Sequence, residues 1–167
     1  MAYGKWQIAN GFARGFTLIE LLVSITVFAM LIAVIVLNLS TAQHTASLES
    51  ATDTLLADLN HQQLKSMVGD TEGRSSSSDY GIAFTADGYT LFHDSYTQGE
   101  STNFSIVVPD IFTVTTTFPN DQIIFSRRSG EVVDFSESTN TITIEDTATS
   151  AKKTIELNRY GVVMGVN

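Results

Sequence analysis

Glu20 is the only charged residue between Phe16 and Leu39, a run of 24 residues that is otherwise apolar or small and neutral. A carboxylate inside a membrane helix costs about 2.5–3.5 kcal/mol at the bilayer centre and less toward the interface. Glu20 lies about one turn into the run, so its cost falls at the smaller end. Ionisable residues in such segments are functional candidates by default, and the chemistry open to this one is charge pairing. A local role is compatible with it, because an acid in the first turn of a helix interacts favourably with the helix dipole.

The other residue types that carry chemistry are dispersed. His44, His61 and His93 have neither H-x3-H nor H-E-x-x-H spacing and read as surface or locally bonded side chains. Asp70, Glu72 and Asp79 share a loop without the alternating ligand pattern of an EF-hand. Ser75-Ser76-Ser77-Ser78 has no G-x-S-x-G context and reads as a solvated loop. Arg127-Arg128 reads as a hairpin turn with solvated charges. The chain has no cysteine, which removes disulfides, thiolate metal sites and cysteine nucleophiles. No catalytic residue, metal site or cofactor is therefore expected. A net charge of −9 argues against nucleic-acid binding, which needs a basic patch.

The elements that must position Glu20 follow from the hydropathy pattern. Residues 16–39 are long enough to cross a bilayer as one helix, for which roughly 20 apolar residues suffice. Lys5 and Arg14 precede the run and no Lys or Arg follows until Lys65, which predicts a cytoplasmic N-terminus and an external remainder. Two plainer readings compete: a cleaved secretory signal with a weak site at Ser40-Thr41-Ala42, and an uncleaved signal anchor. The run is longer than the ~7–15 residues of a signal peptide, and an ordinary anchor leaves Glu20 unexplained. No Gly or Pro occurs from Phe16 to Val68, so one helix of 53 residues, ~80 Å at 1.5 Å per residue, is expected with Gly69 as its stop. Past the membrane, Leu48, Ala51, Leu55 and Leu59 make an apolar stripe that Leu56 and Met67 widen, with Asn, Gln, Ser and Asp on the other face. The stripe is expected to pack on the chain's own head.

From Tyr80 the period changes to two. Tyr80–Thr85 and Tyr89–His93 flank an Asp87-Gly88 turn and predict a hairpin. Further strands are expected at Phe104–Val108, Phe112–Phe118, Gln122–Ser126, Glu131–Phe135, Thr141–Glu145, Thr154–Leu157 and Val162–Val166. The fold class is α+β, a long N-terminal transmembrane helix continuing into an amphipathic helix and packed on an antiparallel β head of two layers or one bent sheet. The expected divisions are a leader over 1–15, a transmembrane and assembly segment over 16–39, an amphipathic extension over 40–69 and a head over 70–167.

The stretch Gly15-Phe16-Thr17-Leu18-Ile19-Glu20 resembles the class III signal of type IV prepilins and of type II secretion pseudopilins. The head stretches Tyr80-Gly81-Ile82-Ala83-Phe84, Tyr89–Asp94, Ile123–Gly130 and Ile155–Val163 more loosely resemble H-type pseudopilins and related type IV minor pilins. The resemblance implies cleavage by a prepilin peptidase between Gly15 and Phe16, and N-methylation of Phe16. Cleavage would remove Lys5 and Arg14, leaving seven basic against eighteen acidic residues. It would also create a charged Phe16 amine able to pair with Glu20 of a neighbouring subunit. The implied partners are other pilins or pseudopilins, the peptidase and an inner-membrane assembly platform. The implied location is the bacterial inner membrane, single-pass, and then an extracytoplasmic filament. Major pseudopilins often bind calcium in a C-terminal loop, for which this chain shows no convincing counterpart, and DNA-binding relatives use a basic C-terminal tail, where it offers only Arg159. The chain would be a minor pseudopilin of a type II secretion pseudopilus and not an enzyme. The alternatives are a minor pilin of a type IV pilus or competence filament and, more distantly, a membrane-anchored binding domain that does not polymerise.

Overall fold

The computed structural model describes residues 15–85 and 87–167. The leader residues Lys5 and Arg14 lie outside the described residues. The chain divides into two compact units, Met1–Thr41 and Ala42–Asn167. One helix, α1 (Leu18–Val68), contributes residues to both. It starts two residues later than expected because Thr17 serves as its cap. It stops where expected: Gly69 adopts a left-handed φ of 66°. The Asp70 N–H donates to the Lys65 carbonyl and the Gly69 N–H to that of Ser66, at 3.0 and 3.2 Å. That pair of bonds is a Schellman cap, which satisfies carbonyls the helix end would orphan.

In the first unit, the α1 residues Leu18–Ile35 are long and apolar enough on average to cross a membrane, and none of that stretch is buried. In the second unit, eight strands form two antiparallel sheets. They are β1 (Tyr80–Thr85), β2 (Gly88–His93), β3 (Phe104–Val107), β4 (Phe112–Thr116), β5 (Gln122–Phe125), β6 (Thr141–Asp146), β7 (Lys152–Leu157) and β8 (Val163–Val166). One sheet has the order β3-β2-β1-β5 and the other β4-β6-β7-β8, which selects two layers over a single bent sheet.

The stripe on α1 closes the core. Leu48, Leu55 and Leu59 are buried with Ile82, Ile123, Phe125, Ile142, Ile144, Ile155 and Leu157, and Ala51 and Leu56 pack at the margin. Met67 departs from the expectation: about half of it is exposed. The buried stripe is not wholly apolar, since Thr52, Gln62 and Ser66, in helical step with Leu48, Leu55 and Leu59, are buried too. Ser66 Oγ donates to the Phe125 carbonyl at 2.7 Å. Gln63 Nε2 donates to the carbonyls of Gly130 and Tyr160 at 2.9 and 2.6 Å. The C-terminal end of α1 is thus tied to the head by hydrogen bonds, where its middle is held by apolar contact.

Two strand expectations are corrected. Glu131–Phe135 is not a strand: it makes one isolated bridge, Val132 to Phe125, and Asp134 then turns away with a φ of 53°. The β1–β2 hairpin forms, but Gly88 is a paired strand residue opposite Thr85 and not part of the turn. A Cβ on Gly88 would lie 2.2 Å from the Ile106 carbonyl oxygen, so its glycine permits the close approach of β3. The remaining strands differ from expectation by at most two residues at their ends. Leu55→Ala should cost about 2–5 kcal/mol through the cavity it leaves. Ser66→Ala should cost about 1–3 kcal/mol by orphaning a buried carbonyl. Urea denaturation followed by circular dichroism on the chain in detergent micelles measures both.

Candidate functional site

Gly15, Phe16 and Thr17 precede α1 in non-helical backbone. Thr17 is the N-cap: its Oγ1 accepts from the Glu20 N–H at 3.3 Å and its carbonyl accepts from the Leu21 N–H at 3.1 Å. Thr17 and Glu20 have the Thr-x-x-Glu spacing of a capping box, of which the Thr17 half is formed. This role of Thr17 was legible in that four-residue spacing but is masked by the apolar run around it. The cap fixes Glu20 in the first turn, where the helix dipole favours a carboxylate. The Glu20 side chain is exposed and forms no ion pair with any described residue. Phe16 is 80% exposed.

Nothing among the described residues lies within 4 Å of where a Gly15 side chain would sit. The fold therefore does not require glycine at this position, in contrast to Gly88. Deeper in the span, Ser24 Oγ donates to the Glu20 carbonyl at 2.8 Å and Thr26 Oγ1 to the Leu22 carbonyl at 2.9 Å. Both hydroxyls are satisfied within the helix, as an apolar environment demands. Glu20 is left as the one charge of the segment with no described partner.

In the second unit, polar groups gather in two places, and both are structural in geometry. His44 Nδ1 donates to Asp146 Oδ2 at 2.7 Å, across 102 residues of sequence. The other Asp146 oxygen accepts from the N–H groups of Ala148 and Thr149 at 2.8 and 3.1 Å. This pair, which local spacing could not reveal, holds α1 to the β6–β7 turn. The second place is the loop after α1. Lys65 reaches Glu72 at 2.5 Å, and Arg74 donates to Ser78 Oγ and to the Tyr80 hydroxyl, both at 2.9 Å. The serine run thus supplies a hydrogen-bond acceptor for Arg74. Arg127 donates from its backbone to Asp79 and from its guanidinium to the Ser77 carbonyl, at 2.7 and 2.8 Å, so it ties this loop to the β5 turn. Among the described residues no group of three or more metal-ligating side chains converges.

Residues 12–36 match the family model of the prokaryotic N-terminal methylation motif. No curated protein and no solved structure matches the chain. The motif supports a type IV pilin-like filament subunit processed by prepilin peptidase and assembled with other pilins. Together with the apolar helix, it supports a single-pass, membrane-anchored protein. The helix and the two-sheet head make the fold α+β and pilin-like.

The Asp146 carboxyl shows how the head responds to acid. Burial pushes it up, but the Ala148 and Thr149 N–H groups and His44 outweigh burial and hold it below its ordinary value of 3.8. A carboxyl depressed in the folded state contributes stability that is fully present above its unfolded value. That contribution is lost as the pH falls through the lower folded value. Asp146→Asn should therefore destabilise the head at pH 7, and the difference from the parent should shrink as pH drops below about 4. Thermal melts between pH 7 and pH 2 test this; a constant difference contradicts it.

Proposed function

We propose that this chain is a minor pseudopilin of a type II secretion pseudopilus, stored in the inner membrane and assembled through α1 into an extracytoplasmic filament that serves protein export. The observation that carries the reading is the match of residues 12–36, a range that includes Gly15, Phe16 and Glu20, to the methylation motif. In this reading prepilin peptidase cuts between Gly15 and Phe16 and the new Phe16 amine is N-methylated. A glycine that the fold does not require, in non-helical backbone just before a capped helix, suits a protease substrate. The peptidase and the inner-membrane assembly platform are the partners before assembly, and other pilin-like subunits the partners after it. With Lys5 and Arg14 on the near side of the span, the N-terminus stays cytoplasmic and the head lies outside.

Charge pairing gives Glu20 its work. The Phe16 amine of one subunit meets the Glu20 carboxylate of its neighbour, and each removes the other's desolvation penalty. Burying either alone leaves an uncompensated charge worth about 3–5 kcal/mol, which favours one axial register between subunits. For the secretion assignment, the support is in the head. The stretch Tyr80–Phe84 lies in β1, Ile123–Gly130 covers β5 and the turn after it, and Ile155–Val163 joins β7 to β8. The segments that resemble H-type heads thus form the frame of both sheets. The role is structural.

Mass spectrometry of the chain from its native membrane should find a mature N-terminus at N-methylated Phe16. An intact Met1 or an N-terminus beyond Ala42 contradicts processing. Glu20→Ala should be cleaved normally yet enter filaments roughly tenfold less or worse, as expected when a buried amine loses its counter-charge. Deleting the gene should stop release of exported protein while surface pili persist; loss of pili with normal secretion would instead favour a type IV pilus.

A further inference from the structure

The open edge of the first sheet faces a groove along α1 that the chain does not fill. Strand β3 pairs with β2 on one side only. The Val108 N–H bond to the Asp87 carbonyl, at 3.1 Å, fixes the parity of that ladder. Phe104, Ile106 and Val108 aim their backbone groups at β2, so Ser105 and Val107 turn theirs outward. Edges of this kind are normally guarded by charge, a bulge or a cover. β3 has none of these among the described residues: its sequence is Phe-Ser-Ile-Val, with Phe104 67% and Val107 75% exposed.

Between β3 and α1 the groove has two ends. The end toward Ala46 is a cavity of about 540 Å3 whose walls include Ala51, Ile106, Val108 and Ile111. The end toward Lys65 is a cavity of about 380 Å3 bounded by Asp58, Gln62, Leu91 and Phe104. Gln62 is 2% exposed there and its Oε1 has no hydrogen-bond partner among the described residues. Lys65, the one Lys or Arg of that end, is already held by Glu72 and lies over the Tyr80 ring. Glu49, Asp53 and Asp58 continue along the adjoining face of α1. One end of the groove is therefore apolar, the other is rich in acceptors, and the helix rim is acidic.

We infer that this groove is a docking site for an extended, positively charged segment of a partner protein, which adds to β3 as a fifth strand. The outward N–H and C=O groups of Ser105 and Val107 supply the main-chain bonds, and the two cavities take alternate side chains. Ser50 and His61 mark the two ends on α1. They are eleven residues apart, ~16 Å along a helix or about five residues of strand. The matching segment carries an aliphatic side chain for the apolar end and, four residues away on the same strand face, a lysine or arginine for Asp58 and Gln62. The site lies wholly in the Ala42–Asn167 unit and does not rest on the filament reading.

Fluorescence anisotropy on the full-length chain in detergent micelles tests it. The probes are two labelled ten-residue peptides of alternating threonine and valine with one isoleucine. Four residues from the isoleucine, on the same strand face, one peptide carries a lysine and the other a glutamate. The lysine peptide should bind about tenfold tighter or better, a difference of about 1.4 kcal/mol. Ser105→Pro removes an outward N–H and no ladder bond, and should weaken binding of the lysine peptide about tenfold. Val107→Lys, which places a like charge on the edge, should do the same without altering the backbone. Asp53→Asn with Asp58→Asn should abolish the preference for lysine. Equal affinity of the two peptides overturns the proposal, as does binding unchanged by both edge variants. Reversible self-association of the chain that Val107→Lys abolishes also overturns it, because the occupant is then a second copy.

Discussion

Thirteen large apolar side chains between Leu18 and Ile35 are exposed. Leaving each of them in water forfeits about 1.5–3 kcal/mol, or about 20–40 kcal/mol for the stretch. That exceeds the ~5–15 kcal/mol by which a typical domain is stable. The segment must therefore be covered by lipid or by apolar helices of neighbouring subunits. The hydroxyls of Ser24 and Thr26 conform to this rule by bonding back to helix carbonyls. Glu20 alone does not conform. Its dipole interaction with α1 is worth a fraction of the cost of burying a charge, so its full compensation has to come from outside the described chain.

The head shows how this sequence treats polar groups when it has partners for them. Several of the buried polar groups described there are held by specific donors or acceptors, some local and some drawn from far along the chain. Asp146 takes His44 and two backbone N–H groups, Ser66 takes the Phe125 carbonyl, and the buried Tyr89 hydroxyl donates to Asp58. Burial, followed by the bond to Asp58 and its charge, pushes the Tyr89 phenol above its ordinary range, so it remains a donor. Against that background the bare Glu20 carboxylate and the unpartnered Gln62 oxygen stand out. The first lies in the apolar stretch of α1 and the second in the groove under β3.

The parts of the fold that depend on local pattern were legible in the sequence. Gly69 ends the helix, Leu48, Leu55 and Leu59 bury one stripe, and most strands lie where the period of two placed them. The parts that depend on long-range partners were not. The His44–Asp146 pair joins residues 102 apart, and Ser66 and Gln62 are buried because strands from elsewhere cover the end of the helix. Gly88 looked like a turn glycine but is set by its contact with β3, which no local rule anticipates. Glu131–Phe135 has strand composition, yet the Asp134 turn allows it a single bridge. The N-terminal motif was readable because its residues are close together: a glycine, a phenylalanine and a carboxylate one turn later.

The proposed pairing of Phe16 and Glu20 between subunits is open to direct observation. Filaments would be assembled from two pools of the chain, one labelled with 15N at phenylalanine and the other with 13C at the glutamate carboxyl. Solid-state NMR would then measure dipolar coupling between the Phe16 N-terminal amine and the Glu20 carboxyl carbon. Coupling across pools at a separation of ~4 Å, the range in which opposite charges compensate, is the predicted result. An amine coupled only to the carboxyl of its own chain, or to none, would contradict the pairing and with it the role assigned to Glu20.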